Sequence, residues 1–320
     1  CSCWDPAHAP AVGFLEGTIG MPGPSAANWY HGGFLHLFIN GQNLGVTKLS
    51  DMWVSEQGAR GSLRMYWDTP AAAVLICFLA LAGDDRLFVQ IALTPHTEVK
   101  ELRLALQTYP SYFTYANRRP GDRKCLSAKQ TYDQGATTDL QVAEESWLAF
   151  YDTVFDPDKG EGDGGCAVLW QPEQMQSANV SVGDYGCTVN LQCRPDARDL
   201  RLVFWDFNRR GNAEALRRFQ AALPATRDLL PALDFAPLSL VKYDAAAARD
   251  QALQDLAPLK GSEALAARVR DLAAQILAQQ QAVITGSGPS PATAEQTLAD
   301  QLERFEALLW ETRFFVLIHG

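Results

Sequence analysis

Residues 34–49, FLHLFINGQNLGVTKL, decide the fold class. The β-type run 34–39 meets Asn40-Gly41, a dipeptide that tolerates the positive φ angles of a tight turn, so the pattern predicts a β-hairpin whose second strand covers 44–49. Eight more runs have β-type composition, at 62–67, 73–81, 86–93, 100–107, 148–155, 166–170, 187–192 and 200–207. This number of short strands excludes a helical fold.

The faces of these runs differ in polarity. In 100–107 three leucines share one face, whereas Glu101, Arg103 and Gln107 occupy the other, as a sheet with one solvated face requires. The run 71–82 is apolar on both faces and belongs in the centre of a sheet. The pattern predicts a mainly β fold, a large antiparallel β-sandwich of the supersandwich type over residues 11–210.

After the predicted sandwich the sequence changes to helical spacing. Asn212 is a candidate cap for a short helix ending near Leu223, and a Pro-rich connector completes 211–237. Residues 238–320 are predicted to be helical, with an interruption at 258–261. A Thr293/Gln296 capping box opens the last helix, and the two C-terminal helices form an antiparallel hairpin. The apolar end 314–318 is expected to dock into a core or an interface.

Composition and charge exclude several classes of protein. Of 320 residues, 47% are hydrophobic, and 27 Lys plus Arg stand against 37 Asp plus Glu, a net charge of −10. A net negative charge argues against electrostatic binding to nucleic acid or anionic lipid. No apolar run reaches the length of about 18 residues that a membrane span needs.

The chain begins with Cys1 rather than Met. Lipoprotein maturation leaves a cysteine first, in which case Cys1 carries lipid, residues 1–10 form a flexible tether, and the protein works outside the cytoplasm, in the envelope or secreted. The alternative is that the sequence was cut from a longer chain. None of the seven cysteines has the spacing of a zinc site, and Cys77, in an apolar run, is expected to be buried.

Aromatic residues with polar neighbours are the first candidate site. Sugar rings stack on aromatic faces while carboxylates and amides bind their hydroxyls, so these residues are candidates for a saccharide platform, with packing in the core as the alternative. Asp206, pointing to the core face of its strand, is either a general acid or the partner of Arg209 or Arg210. The candidates are Trp29, Tyr30, His31, Trp53, Trp147, Tyr151, Trp205 and Asp206.

A second candidate interleaves aromatic and basic residues in 109–119, with Tyr112, Tyr115, Arg118 and Arg119 as its members. Such a pattern suits single-stranded nucleic acid in a basic protein. With a net charge of −10, an anionic glycan or simple loop packing is favoured.

The acidic stretch 156–165, DPDKGEGDGG, is the third candidate. Its carboxylates Asp156, Asp158, Glu161 and Asp163 are potential Ca²⁺ ligands, although the spacing fits an EF-hand poorly. The alternative is a solvated turn between the strands that end at 155 and begin at 166. Its GxGxxG spacing leads into a strand rather than a helix, so it does not indicate a nucleotide site, and no cofactor besides calcium is expected.

The run 83–95, GDDRLFVQIALTP, together with the strands around it, resembles the β-supersandwich of galactose-mutarotase-like domains over residues 11–210. The resemblance implies a carbohydrate-associated context. The histidine pair and carboxylate that true mutarotases use have no counterpart here, so the resemblance implies no catalytic residue.

Three functions follow as hypotheses. The first is a saccharide-binding, extracytoplasmic module. The second is a carbohydrate-active enzyme, a hydrolase, lyase or epimerase, whose hydrolytic form needs paired carboxylates about 5 to 5.5 Å or 6.5 to 9.5 Å apart. The third is a structural or assembly protein that uses the helical C-terminal region to bind a protein partner or a second copy of itself.

Overall fold

The computed structural model describes residues 2–3, 19–20, 28–30, 33–57, 60–111, 119–235, 238–285 and 291–319. It divides the chain into two compact units, Cys1–Leu233 and Asp234–Gly320. The first unit is built on two antiparallel sheets and the second is helical, which confirms the predicted fold class.

Seventeen strands are found in the described residues, and most of them are short. They are β1 Ser2–Cys3, β2 Ile19–Gly20, β3 Leu35–Ile39, β4 Gln42–Asn43, β5 Asp51–Gln57, β6 Arg60–Asp68, β7 Ala72–Leu81, β8 Arg86–Pro95, β9 Leu102–Thr108, β10 Arg123–Leu126, β11 Thr131–Asp133, β12 Thr137–Leu140, β13 Trp147–Asp152, β14 Cys166–Trp170, β15 Met175–Val182, β16 Cys187–Cys193 and β17 Asp199–Asp206.

The strands form two sheets that share one core. The first sheet has the order β1-β2-β3-β9-β16-β15-β12, with β4 paired to β3, and the second has the order β11-β10-β13-β14-β17-β8-β7-β6-β5. Alternate side chains of both sheets point inward and pack into one apolar cluster, as in a sandwich. Cys187 and Cys193, both on β16, are buried thiols outside any disulfide, as is Cys77 on β7.

The hairpin predicted over residues 34–49 is present, but its second strand is shorter than predicted. Asn40 and Gly41 have φ angles of 51° and 81°, as a tight primed turn requires, and Ile39 pairs with Gln42. The second strand ends at Asn43, because the Asn43 side chain accepts a hydrogen bond from the Gly45 N–H and starts a 3-10 turn over Leu44–Val46. The predicted strand at 44–49 is therefore wrong.

The first helix, α1 Asn212–Ala232, is longer than predicted and continues through Pro224 and Pro231. A proline inside a helix costs about 3 kcal/mol. Packing of one helix face on the outer side of the second sheet offsets this, with Phe219 buried there. Arg201, on β17, donates hydrogen bonds from Nη1 to three carbonyls at the helix C-terminus, those of Leu230, Pro231 and Leu233.

The cap of α1 also differs from the prediction. Asn212 is the first helical residue, and its side chain donates to the carbonyl of Asp152, 2.8 Å away. The capping acceptor is the carboxylate of Asp156, which lies 3.1 Å from the Asn212 N–H. A carboxylate at this end also suits the helix dipole.

The described residues of the second unit form four helices: α2 Leu238–Val241, α3 Ala245–Leu256, α4 Glu263–Thr285 and α5 Pro291–His319. Asp244 caps α3, and the predicted interruption near 258–261 separates α3 from α4. The apolar end of α5 is docked only in part, because Phe315 and Val316 pack against the helical core whereas Phe314, Leu317 and Ile318 are exposed. Among the described residues, no helix combines the length and apolar character needed to cross a bilayer.

One buried carboxylate in the first unit is held entirely by hydrogen bonds. Glu145 accepts from the Ser127 and Tyr132 hydroxyls and from the Gln141 N–H. Burial alone would raise the pKa of Glu145, but these three donors, helped by the charge of Lys129, hold it below its ordinary value. The ionised carboxylate therefore ties the loops around β11 and β13 together.

Candidate functional site

The outer face of the first sheet is polar across five adjacent strands. Residues on β3, β9, β16, β15 and β12 that alternate with the core positions point away from the sandwich. We call this surface the polar face. It consists of His36, Phe38, Arg103, Ala105, Gln107, Thr188, Asn190, Gln192, Ser177, Asn179, Ser181, Thr137 and Asp139.

Register places the members of the polar face in rows that run across the strands. One row joins His36, Ala105, Asn190, Asn179 and Asp139 as directly paired positions. With neighbouring strands about 4.8 Å apart, this row is about 19 Å long. The surface is thus long enough for an extended ligand rather than a single small group.

Three side chains at the centre of the polar face are linked by hydrogen bonds. Arg103 Nη1 donates to Asn190 Oδ1 at 3.2 Å, and Asn190 Nδ2 donates to Asn179 Oδ1 at 3.1 Å. The Arg103 guanidinium carbon also lies 3.7 Å from the centre of the Phe38 ring, a cation–π contact. These contacts fix a cation and two amides in position before any ligand arrives.

His36 borders this group as a neutral imidazole. Its Nε2 lies 3.0 Å from the Gly33 carbonyl oxygen, so this nitrogen carries the proton and donates. Burial lowers the pKa of His36, and the positive charge of Arg103 lowers it further, against a raising effect of the Gly33 hydrogen bond. At neutral pH, Nδ1 is therefore a hydrogen-bond acceptor.

Three tyrosines lie at the end of the polar face where β9 finishes and β16 starts. The Tyr109 ring is 5.0 Å from Tyr30 and 6.1 Å from Tyr185, both edge to face. The Tyr30 N–H donates to the Gln107 carbonyl. Burial raises the pKa of Tyr30 and of Tyr109, so both hydroxyls keep their protons, and Tyr185 is 51% exposed. We call this group the tyrosine cluster.

The buried tryptophans correct the prediction of an aromatic platform. Trp29, Trp147 and Trp205 are 0%, 6% and 2% exposed. Trp29 donates from Nε1 to the Trp205 carbonyl, while Trp147 and Trp205 pack against Phe219 of α1. A sugar finds no free ring face on any of the three, because each fills the space between packed elements.

The remaining predicted aromatic residues do not come together. Trp53, on the edge strand β5, is half-buried with the Arg64 guanidinium carbon 5.9 Å from its ring centre. Tyr151, on β13, is also half-buried but six strands away, about 29 Å. Tyr30 joins the tyrosine cluster, in which Tyr109 is buried and Tyr185 is exposed. Cys1, His31, Tyr112, Tyr115 and Arg118 lie outside the described residues.

Asp206 is held by an amide rather than by the predicted arginine. Its Oδ1 accepts a hydrogen bond from Asn28 Nδ2 at 2.6 Å, and Asn28 Oδ1 accepts from the Ser111 N–H. Arg210, two residues before α1, pairs instead with Glu214 in the first turn of that helix. Asp206 therefore helps to fix residue 28 at the end of the sandwich.

The acidic stretch is bound to the protein rather than gathered around a common point. Asp156 accepts from the Asp158 and Asn212 N–H groups, and Glu161 forms an ion pair with Arg119 at 2.5 Å. Within the described residues, no group of three or more His, Cys, Asp or Glu side chains is placed to hold a metal ion. These contacts give the carboxylates capping and pairing roles, and calcium binding stays a prediction.

Two glycines of this stretch, Gly162 and Gly164, are required by close packing, whereas residues 158–161 are exposed, so the turn is solvated in its first half only. A Cβ on Gly162 would lie 2.4 Å from the Phe155 carbonyl oxygen, and one on Gly164 would lie 2.2 Å from that of Phe207. Both residues have positive φ angles, 86° and 95°. The strands on either side do pair, with Phe150 opposite Cys166, so the predicted hairpin connection is present.

Sequence reasoning missed most of the polar face. It placed Arg103 and Gln107 on a solvated side, and the same alternation in 187–193 assigns Thr188, Asn190 and Gln192 to that side. Strands β12 and β15 were not predicted, since 137–140 and 175–182 are rich in Ser, Thr, Asn and Gln. Their composition hid both the strands and the polar face.

No protein-family model and no curated protein matches this chain. Several solved structures are similar to it at low identity. They include an α-N-acetylgalactosaminidase from Bifidobacterium bifidum (TM-score 0.44, 10% identity, 69% of this chain and 37% of that one) and a putative kojibiose phosphorylase from the human microbiome (0.37, 10%, 63% and 25%). A GH36 α-galactosidase from Geobacillus stearothermophilus has a TM-score of 0.34 and 10% identity, over 55% of this chain and 30% of its own. This chain spans about a quarter to two fifths of their lengths.

Proposed function

We propose that this protein binds a saccharide chain on the polar face. The observation that carries the proposal is the hydrogen-bonded chain of Arg103, Asn190 and Asn179, a fixed set of donors and acceptors on a half-buried sheet surface. Each sugar hydroxyl both donates and accepts, so guanidinium and amide groups suit it. The sandwich is proposed to be of the galactose-mutarotase-like type.

The tyrosine cluster supports the same ligand class. Saccharide sites combine polar groups for the hydroxyls with aromatic faces for the apolar side of the ring. Tyr185 is exposed next to Tyr109, which is continuous in sequence with Gln107 on the polar face. A chain lying along the polar face would therefore reach an aromatic surface at one end.

Binding is favoured over hydrolysis by the distribution of carboxylates. Hydrolysis of a glycosidic bond uses two carboxyl groups across a cleft. Among the described strand residues of the polar face, Asp139 is the carboxylate, and it lies on the edge strand β12. The face offers amides, hydroxyls, an imidazole and a guanidinium instead, which bind without breaking bonds.

The test is a glycan array followed by calorimetric titration of the strongest hits. Asn190→Ala removes the central amide, and losing one or two hydrogen bonds to a ligand is expected to weaken binding by about tenfold. Gln251→Ala, an amide on the exposed side of α3, is the matched control and should bind as the wild type does. Wild-type protein that binds no glycan, or unchanged binding by Asn190→Ala, contradicts the proposal.

A further inference from the structure

Arg103 pairs with no carboxylate within the described residues, as is also true of a few other arginines of the first unit, such as Arg227, whose side chain donates to Ser146. The charge of Arg103 lies in the polar face of a protein whose net charge is −10. By contrast, several other arginines have an acidic partner within 4.0 Å: Arg86 with Asp84, Arg119 with Glu161, Arg194 with Asp196, Arg201 with Asp199 and Arg210 with Glu214. A half-buried cation without a counter-charge favours an anionic ligand.

The guanidinium is also oriented for such a ligand. Stacking on Phe38 fixes its plane, and the hydrogen bond from Nη1 to Asn190 fixes its rotation within that plane. Among the described residues, no acceptor binds the other edge, formed by Nε and Nη2. That edge carries two parallel N–H groups, the geometry that binds both oxygens of a carboxylate.

Three titratable groups on this side of the sheet bear on the charge of Arg103. Glu101 lies two residues before it, about 7 Å along the strand, and within the described residues no ion pair joins the two. His36 is neutral at pH 7, as shown above. Asp139 lies three strands from β9, about 14 Å, which is beyond the screening length of about 8 Å at physiological salt. The centre of the polar face therefore has one positive charge with which no described carboxylate forms an ion pair.

We infer that the saccharide is acidic, a chain of uronic acid units of which one carboxylate pairs with Arg103. This inference rests on the proposed function and specifies its ligand. A neutral sugar could use Asn190 and Asn179 equally well, but it would leave the Nε–Nη2 edge of Arg103 with hydroxyls only. A uronate supplies the charge and the planar pair of oxygens that this edge fits.

The experiment uses tetrasaccharides of galacturonate, glucuronate and mannuronate, each beside the same chain with its carboxyls reduced to alcohols. Calorimetry on the full chain is expected to show at least one uronate binding about 10- to 100-fold more tightly than its reduced form. In the Arg103→Gln variant, most of this difference in affinity between the uronate and its reduced form should be lost. The Arg103→Lys variant should retain part of it. The control is Arg194→Gln, which alters an exposed arginine outside the polar face.

The outcomes separate the inference from the proposed function. If reduced chains bind as tightly as uronates, the acidic ligand is refuted while saccharide binding stands. If none of the six probes binds and the glycan array is also blank, both fail. Because the comparison of each uronate with its reduced form uses wild-type protein, poor folding of a variant does not prevent a decision, and circular dichroism of each variant shows whether it is folded.

Discussion

Phe219 is predicted to be one of the most stabilising residues of α1. Its ring is 0% exposed and lies 5.2 Å from the Trp147 ring and 5.0 Å from the Trp205 ring. Replacing a buried Phe with Ala costs about 3 to 5 kcal/mol, and the two edge-to-face contacts place this site in the upper half of that range. Since whole domains are stable by only about 5 to 15 kcal/mol, Phe219→Ala should remove much of the margin of the first unit.

Urea unfolding followed by tryptophan fluorescence measures this loss, because seven of the eight tryptophans belong to Cys1–Leu233. With a slope of about 3 kcal/mol per molar urea, a loss of about 4 kcal/mol moves the midpoint down by about 1.3 M. Phe314→Ala is the matched control, since Phe314 is 64% exposed, and its effect should stay within about 0.5 kcal/mol. A shift below about 0.3 M for Phe219→Ala would refute the packing of α1 on the second sheet.

Two further predictions concern a glycine and a carboxylate. Gly164→Ala should destabilise the first unit by at least about 3 kcal/mol in thermal unfolding, because its Cβ would lie 2.2 Å from the Phe207 carbonyl oxygen. Gly83→Ala, with a φ of 74° and open space around it, should cost only about 1 to 2 kcal/mol, and equal losses would contradict the argument. Glu145, whose pKa is lowered in the folded state, stabilises the protein above its ordinary pKa of 4.5, and this contribution is lost as pH falls through the folded value. The unfolding temperature of Glu145→Gln should therefore change less between pH 5 and pH 3 than that of the wild type, and identical slopes would show that Glu145 makes no such contribution.

The sandwich could be predicted because apolar strands have a distinctive amino-acid composition. Runs such as 73–81 and 200–207 contain the β-branched and aromatic residues that pack into a core, and both are central strands of the second sheet. Strands β12 and β15 were missed because their outward positions are Ser, Thr and Asn, which are also common in loops. Their strand structure depends on pairing, of β15 with β16 in a hairpin and of β12 with β15 across the sheet, and composition does not record these contacts.

The helical region shows the opposite error. Pro224 predicted the end of α1, because proline lacks the N–H that an α-helix needs. The helix continues because Phe219 and Leu230, on either side of that proline, are both buried. Local chemistry at residue 224 was interpreted correctly, but the packing energy that outweighs it arises only in the folded chain.

The candidate site was predicted least well. Trp29 and Trp205 were chosen because aromatic residues bind sugars, yet size and low polarity also place such rings in a core, and here the core prevails. No residue of the polar face stands in a sequence motif that would indicate a binding site. The significance of these residues is in their register, since Arg103, Asn190 and Asn179 are separated along the chain and become neighbours only when β9, β16 and β15 pair.

The close packing around Gly162 and Gly164 has a consequence for mutational scanning. Any residue other than glycine has a Cβ that would collide with a carbonyl oxygen there. In a saturation library, substituted variants at these two positions should therefore be as rare as variants at a catalytic centre. The residues of the polar face, which point to solvent, should accept many substitutions whenever survival depends on folding alone. Under selection for expression, the acidic stretch would therefore tolerate few substitutions and the polar face many. Under selection for ligand binding, the polar face would become the less tolerant of the two.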